Sequence, residues 1–169
     1  MSKILISGYY GFANAGDEAM LTAIIESLRQ VEKNVELTVL SGNPEDTAAK
    51  HQVCSVYRFN PLGIIQAMKD SELIISGGGS LLQDVTSKRS LLYYLSIIGL
   101  GKFFGKKVML FAQGIGPIRA KWARKLTSLV CNEADLITVR DSESAAELIE
   151  MGVKPEKITV TADSVLSLS

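Results

Sequence analysis

Three glycine-rich turns in this chain carry residue types that bind and transform small ligands. The first turn, Gly8–Glu18, leads from an apolar run into a helical pattern. Turns of this kind expose backbone N–H groups to a ligand. Asp17 is suited to act as a general base towards a hydroxyl or to hydrogen-bond a sugar, and its structural alternative is to cap the following helix. We therefore predict that four residues of this turn belong to a ligand site: Gly11, Asn14, Gly16 and Asp17.

The glycine spacing of the first turn argues against the two common nucleotide fingerprints. Gly8, Gly11 and Gly16 do not form a G-x-G-x-x-G pattern, and no Gly-Lys-Ser/Thr closes the turn as in a P-loop. The turn therefore predicts a ligand other than a dinucleotide or the phosphates of ATP.

The second and third turns, Ser76–Asp84 and Gln113–Pro117, also follow apolar runs. Consecutive glycines in the second turn would let backbone amides approach an oxyanion or a sugar ring closely. A solvated loop is the alternative for the polar residues of the second turn, and a structural hydrogen bond is the alternative for Gln113. The predicted ligand contacts are Gly77, Gly78, Gly79, Ser80, Gln83, Asp84, Gln113 and Gly114.

Arg140 follows another apolar run, again where a strand would end. An arginine at such a place is suited to bidentate binding of a carboxylate or a phosphate. The alternative is an ion pair with Asp141 or with another carboxylate of a loop. His51, the single histidine, ends a polar helical stretch and is not predicted to be catalytic.

Short apolar runs alternate with helical stretches along the whole chain, which predicts βαβ units. Several runs are continuously apolar, as in parallel strands covered on both faces. We predict one α/β domain over residues 1–169, with a Rossmann-like, doubly wound, mainly parallel sheet of about six or seven strands. Strands are predicted at 3–7, 35–40, 53–56, 73–76, 108–112, 136–139 and 158–161, and helices at 17–32, 44–50, 61–69, 90–104, 120–132 and 142–151.

Composition narrows the classes of function. The 18 basic residues balance 18 acidic ones, so nothing favours nucleic-acid binding. One histidine and two cysteines without a Cys-x-x-Cys pair predict no metal site.

The apolar stretch 91–100 is shorter than the roughly 20 residues that span a bilayer, and no signal peptide is recognisable, so a cytoplasmic location is expected. Stretch 90–104 is interpreted as a buried crossover helix, or alternatively as a surface that contacts a membrane or a partner domain.

Four motifs in order resemble the amino-terminal half of a polysaccharide pyruvyl transferase, closest to the bacterial cell-wall type known as CsaB. They are Gly8–Ala19, Ser76–Asp84, Gln113–Pro117 and Val139–Ser144. The resemblance implies one half of a GT-B-like, two-domain enzyme. Such an enzyme transfers a pyruvyl group from phosphoenolpyruvate, its donor substrate, to two hydroxyls of a sugar as a cyclic ketal, without a further cofactor. The implied acceptor is an N-acetylmannosamine-type unit of a lipid-linked cell-wall precursor at the inner face of the membrane.

The resemblance also implies roles for individual residues, with Arg140 as an anion contact and Asp17 as the base or an acceptor contact. The chain departs from the family in two respects. The family's carboxyl-terminal domain with its donor-binding histidine is expected to be missing from this chain, and Ala162-Asp163-Ser164 stands where the resemblance implies Ala-Asp-Pro. The isolated domain is therefore expected to be inactive. Two alternatives remain open: a domain of a GT-B glycosyltransferase that uses a nucleotide-sugar, and a non-catalytic saccharide-binding module.

Overall fold

The computed structural model describes residues 2–77, 79–85 and 87–161. Gly78 and the 162–164 tripeptide, both singled out above, lie outside the described residues. Strands and helices alternate in the order β1 (Lys3–Ser7), α1 (Ala15–Val31), β2 (Glu36–Ser41), α2 (Pro44–His51), β3 (Cys54–Tyr57), α3 (Pro61–Asp70), β4 (Leu73–Ser76), β5 (Gly79–Leu82), α4 (Lys88–Phe103), β6 (Lys107–Ile115), α5 (Lys121–Glu133), β7 (Leu136–Val139), α6 (Ser142–Met151) and β8 (Ile158–Val160). A 3₁₀ helix, Pro155–Lys157, precedes β8.

The strands form one sheet in the order β3-β2-β1-β4-β6-β7-β8. Every strand pair among the described residues is parallel. Strand β1 lies between β2 and β4, with Ile4 opposite Leu37 on one side and Leu73 on the other. The strand order therefore reverses beside β1, as in doubly wound folds. The prediction of a doubly wound, parallel α/β fold is confirmed.

The strand count differs from the six or seven predicted, because an eighth strand, β5, lies inside what was interpreted as a turn. Strand β4 pairs with the first half of β6, Ser76 opposite Leu110, and β5 pairs with its last residues, Gly79 opposite Gln113. The eight strands therefore occupy seven positions in the sheet. Strand β5 was not predicted from the sequence because glycines 77–79 indicate a turn, and glycine is depleted in strands.

Polar side chains define where the helices begin. Asn14 Oδ1 accepts the N–H of Asp17 at 3.1 Å and caps α1, and Asn43 and Asn60 cap α2 and α3 in the same way. Helix α6 ends at Gly152, which adopts a left-handed conformation. Most of the helix ends lie within two residues of the predicted ones.

Side chains of β1 alternate between two hydrophobic layers. Ile4 and Ile6 pack with α1 on one face of the sheet, whereas Leu5 belongs to a larger cluster formed with α3, α4 and α5. Helix α4 contributes five buried apolar or aromatic side chains to that larger cluster: Leu91, Tyr94, Leu95, Ile97 and Ile98. The interpretation of this stretch as a buried crossover helix is therefore confirmed. Phe103, at the end of α4, is 80% exposed.

Asp135 holds the end of α4 against the start of β6. Its Oδ2 accepts hydrogen bonds from Lys102 Nζ and from the N–H of Val108, both at 2.8 Å. Burial works to raise the pKa of this carboxyl, but the hydrogen bonds and the charges of Lys102 and Lys107 outweigh burial and lower the pKa overall. Because the pKa is lower in the folded state, the carboxylate stabilises the fold above about pH 4, and this contribution disappears as the pH falls.

We expect Asp135→Asn to lower the free energy of unfolding by about 1 kcal/mol at pH 7, with the difference shrinking below pH 4. Urea denaturation between pH 3 and pH 7 measures both effects. Asp70→Asn, at an exposed carboxyl, is the control and is expected to change stability little. A deficit for Asp135→Asn that stays constant down to pH 3 would contradict the linkage.

Candidate functional site

The first two turns lie at the carboxyl ends of the neighbouring strands β1 and β4. The N–H of Gly77 donates to the carbonyl of Ser7 at 2.7 Å, and the N–H of Gly42 donates to the carbonyl of Tyr10 at 2.9 Å. The two turns therefore lie where the strand order reverses, which is where open α/β sheets have their ligand-binding crevice.

Tyr10 packs beneath these two turns, close to Gly8 and Gly77. It is 1% exposed, and its hydroxyl has no hydrogen-bond partner among the described residues. Burial, followed by the nearby charges of Asp17 and Glu18, holds the pKa of this phenol well above its usual range. A Cβ atom at position 77 would lie 2.0 Å from the hydroxyl. Gly77, predicted as a ligand contact, therefore also has a packing reason to be glycine.

Asp17 lies in the first turn of α1 and faces β5. Its Oδ1 lies 3.2 Å from where a Cβ atom of Gly79 would be, and Gly79 has a φ of +98°, which favours glycine. Burial, with a smaller contribution from the charge of Glu18, raises the pKa of the Asp17 carboxyl. Asn14 caps α1, so Asp17 does not have the capping role that was its structural alternative. Asp17 remains the base predicted for this turn, with its basicity increased.

Glu18 holds the first turn in place, a contact that sequence reasoning missed. Its Oε1 accepts the N–H of Gly11 at 3.1 Å, and its Oε2 lies 3.2 Å from Nε2 of His51 at the end of α2. The Glu18 and His51 side chains are 18% and 10% exposed. The two residues are far apart in sequence, so only the packing of α1 against α2 brings them together.

We expect Glu18→Ala to release the Gly11 amide and to speed its hydrogen exchange about tenfold, which corresponds to a net hydrogen-bond free energy of about 1.4 kcal/mol. NMR-detected exchange of the Gly11 amide measures this. Glu26→Ala, at an exposed position on the same helix, is the control and should leave the rate unchanged. An unchanged rate in Glu18→Ala would show that other contacts hold the turn.

The third turn starts inside the sheet, because β6 runs through Gln113 to Ile115. Gln113 is fully buried, and its Nε2 donates to the carbonyls of Ser76 and Gly77. The structural hydrogen bond weighed as its alternative is therefore present. Gly114 accommodates Arg140, whose guanidinium carbon lies 2.4 Å from where a Cβ atom at position 114 would be. Both predicted residues thus also have structural roles.

Arg140 lies at the same edge of the sheet, with its side chain 37% exposed. Its Nε is 3.5 Å from Oδ2 of Asp141, so the ion pair weighed as its alternative is present. Asp141 also caps α6 by accepting the N–H of Ser144. The guanidinium keeps exposed surface that an anion can reach. Gly79 of β5 lies opposite Gln113 of β6, and Gln113 lies opposite Val139 of β7. Asp17 is next to Gly79 and Arg140 directly follows Val139, so the two residues lie on either side of β6 at this edge of the sheet.

The remaining predicted residues that the structure describes lie in the first turn (Gly16) and in the second turn (Ser80, Gln83 and Asp84). Asp84 accepts the N–H groups of Arg119 and Ala120 at 3.0 Å, and these hydrogen bonds lower the pKa of its carboxyl. Asp84 thereby holds the backbone that leads into α5, whose N-cap residue is Ala120. Ser80 and Gly16 are exposed, and Gln83 is half-buried. For Asp84 the structure shows a structural role, whereas for Ser80 and Gly16 it leaves surface that a ligand can contact.

Arg58 and the aromatic rings around it form a cluster that sequence reasoning missed. Arg58 directly follows β3 and is 5% exposed. Its guanidinium carbon lies 4.6–5.8 Å from the centroids of five rings: Tyr9, Phe12, Phe59, Tyr93 and Tyr94. No carboxylate of the described residues pairs with it. The criterion that singled out Arg140, a cation just after a strand, also applies to Arg58.

A surface depression of about 710 Å³ lies away from this edge. Residues near the amino ends of β1, β2 and β3 line it, among them Lys3, Glu36 and Cys54. Ligands of open α/β sheets bind at the opposite ends of the strands, and the carboxyl edge holds the perturbed carboxyl of Asp17, so we assign the site there. Within the described ranges, no three histidine, cysteine or carboxylate side chains lie together as a metal site requires.

The fold is that of one half of GT-B glycosyltransferases and sugar-nucleotide epimerases. Anabaena Alr3699/HepE, solved with UDP and glucose, is 13% identical with a TM-score of 0.64, and the match covers 96% of this chain and 44% of that protein. The lipopolysaccharide outer core galactosyltransferase WaaB is 17% identical with a TM-score of 0.58, covering 95% and 45%. The Neisseria meningitidis UDP-GlcNAc 2-epimerase is 14% identical with a TM-score of 0.57, covering 97% and 47%. The chain therefore spans less than half the length of these neighbours.

Residues 14–169 match the model of the polysaccharide pyruvyl transferase family. The chain belongs to this family, as its four motifs predicted. No curated protein matches its sequence. In the part of the chain that the structure describes, no helix is both long enough and apolar enough to cross a membrane.

Proposed function

We propose that this chain is the amino-terminal, acceptor-side domain of a CsaB-like enzyme. The enzyme transfers pyruvyl from phosphoenolpyruvate to an N-acetylmannosamine-type sugar of a lipid-linked cell-wall polysaccharide precursor. The family match supports the class of reaction. The observation that carries the assignment of the acceptor side is Asp17, a partly buried carboxyl with a raised pKa at the crevice where the strand order reverses.

The reaction forms two carbon–oxygen bonds at C2 of phosphoenolpyruvate. One sugar hydroxyl adds to C2, and C3 takes up a proton to become a methyl group. The second hydroxyl then replaces the phosphate, which leaves as inorganic phosphate with the remaining proton. The products are a cyclic ketal that keeps the pyruvyl carboxylate and one inorganic phosphate.

Asp17 accepts the proton of an attacking hydroxyl in this proposal, since a raised pKa makes its carboxylate a stronger base. Arg140 is assigned to the carboxylate or the phosphate of the donor, because a guanidinium matches both anions. The rest of the donor site is assigned to a carboxyl-terminal domain that faces this edge, since the chain spans under half of its structural neighbours. The lipid-linked acceptor places the enzyme in the cytoplasm at the inner face of the membrane, and the exposed Phe103 is a candidate membrane contact.

The test uses the protein encoded by the complete gene, incubated with phosphoenolpyruvate and a synthetic N-acetylmannosamine-containing acceptor. We expect release of inorganic phosphate with formation of a sugar ketal, detected as a mass gain and as a new methyl signal by NMR. Turnover of a UDP-sugar in place of phosphoenolpyruvate would identify a glycosyltransferase instead. Saccharide binding without turnover of either donor would identify a binding module.

A further inference from the structure

Arg58 is a buried cation that the proposed chemistry leaves unused. Removing a charge from water is costly unless the charge is paired, and each cation–π contact offsets part of that cost. Five rings therefore make the burial tolerable, but a hydrophobic residue would fill the same volume without that cost. The Arg58 Nε is buried and has no hydrogen-bond partner among the described residues. A buried guanidinium that has an unused N–H donor and no carboxylate partner among the described residues indicates that an anion completes the site.

Tyr94 supplies a second unused donor beside Arg58. The residue is 3% exposed, its ring centroid lies 5.7 Å from the guanidinium carbon, and its hydroxyl has no hydrogen-bond partner among the described residues. Burial raises the pKa of this hydroxyl, the charge and the N–H groups of Arg58 oppose the rise, and the charge of Asp17 adds to it. Tyr94 is therefore within electrostatic reach of both Arg58 and the proposed base.

Aromatic rings form the outer rim of the same cluster. Tyr9 and Phe12 stack with their centroids 4.3 Å apart and are 41% and 42% exposed, and Phe59 is 59% exposed. Exposed rings rotate between rotamers within nanoseconds, so the rings that cover Arg58 can also uncover it. Their apolar faces match the C–H faces of a sugar ring, and the cation beneath matches a phosphate.

We propose that Arg58 and Tyr94 bind the phosphate of a phosphorylated saccharide whose sugar ring lies against Tyr9 and Phe12. The inference rests on the proposed function in one respect: the acceptor of a lipid-linked precursor carries a phosphate next to its sugars. The site then anchors the acceptor at its phosphate, while the sugar that reacts extends towards Asp17.

Isothermal titration of the chain compares three probes: N-acetylmannosamine 1-phosphate, the neutral methyl glycoside of the same sugar, and phosphoenolpyruvate. We expect the sugar phosphate to bind at least tenfold more tightly than either of the others. Arg58→Gln is expected to weaken its binding at least tenfold, and Tyr94→Phe severalfold. Lys69→Gln, which removes the cation beside Phe104 at a distant site, is the control and should leave binding unchanged.

A second measurement covers the case in which Arg58→Gln does not fold. The Arg58 Nε–H signal, assigned from its loss in Arg58→Lys, is followed by NMR while the sugar phosphate is added to the unaltered chain. A saturable shift of this signal supports the site, and an unmoved signal overturns it. Tighter binding of phosphoenolpyruvate than of the sugar phosphate also overturns it. Ketal formation that Arg58 variants leave intact would refute this subsite alone, whereas Arg58-dependent binding without ketal formation would refute the proposed reaction alone.

Discussion

Asp17→Asn is expected to lower the turnover of the complete enzyme about 10²–10⁴-fold, the range that general-base catalysis usually contributes. Asparagine keeps the shape of the side chain and its contact with the first residue of β5, but it cannot take up a proton from a sugar hydroxyl. The Michaelis constant for phosphoenolpyruvate is expected to change much less, because Asp17 is assigned to the acceptor. Initial rates of phosphate release at saturating donor measure both quantities.

The pH profile makes this prediction specific for the base. A base works only when deprotonated, so activity rises with pH through the pKa of Asp17. Since burial raises that pKa, the acid limb of kcat/KM should lie above the value of about 3.9 for an ordinary aspartate. Asp17→Asn should remove this limb. Asp46→Asn, in the first turn of α2, is the matched control. An acid limb that survives in Asp17→Asn would assign the base elsewhere.

Gly77→Ala is expected to lower the free energy of unfolding by about 3 kcal/mol, at the upper end of the usual cost of overpacking. The added methyl would lie 2.0 Å from the hydroxyl of Tyr10 and 3.3 Å from the carbonyl oxygen of Ser7. Tyr10 is fully packed and has no room to withdraw. Urea denaturation followed by circular dichroism measures the loss.

A second substitution tests the reason for this loss. Tyr10→Phe removes an unpartnered buried hydroxyl and should stabilise the chain by about 1 kcal/mol. In that background, Gly77→Ala should cost clearly less than it does alone. Gly99→Ala, where the added Cβ would meet no atom within 4 Å, is the control and should stabilise α4 by about 0.5–1 kcal/mol. Equal losses from Gly77→Ala in both backgrounds would show that the Tyr10 hydroxyl is not the obstacle.

The sheet could be predicted from the sequence because parallel strands leave a local pattern. Ile4, Leu5 and Ile6 form a continuous apolar run only because both faces of β1 are covered. The bounds of three strands, β1, β4 and β7, match the prediction. Strand β5 could not be predicted in this way, since its pairing with β6 depends on residues that lie far apart in the chain.

The same distinction applies to the functional site: some of its residues are indicated by a local sequence pattern, and others are brought together only by the fold. Asp17 and Arg140 could be singled out because each follows a strand directly, and the ends of parallel strands share one edge. The Arg58 cluster combines rings from the first turn, from the end of β3 and from α4, so no local spacing indicates it. The unused hydroxyl of Tyr10 is equally invisible in the sequence, because an unmet hydrogen bond is a property of packing alone.

Gln113 connects β6 to the end of β4 at the break between β4 and β5. Its side chain spans the break, where the backbone ladder of a continuous strand would otherwise run, and it holds the carbonyls of Ser76 and Gly77. Its backbone pairs with Gly79, the residue that faces Asp17. The Gln113 side chain therefore adds to the backbone pairing of β4 and β5 with β6 at the break, so a displacement of β6 would also move the carbonyls of Ser76 and Gly77.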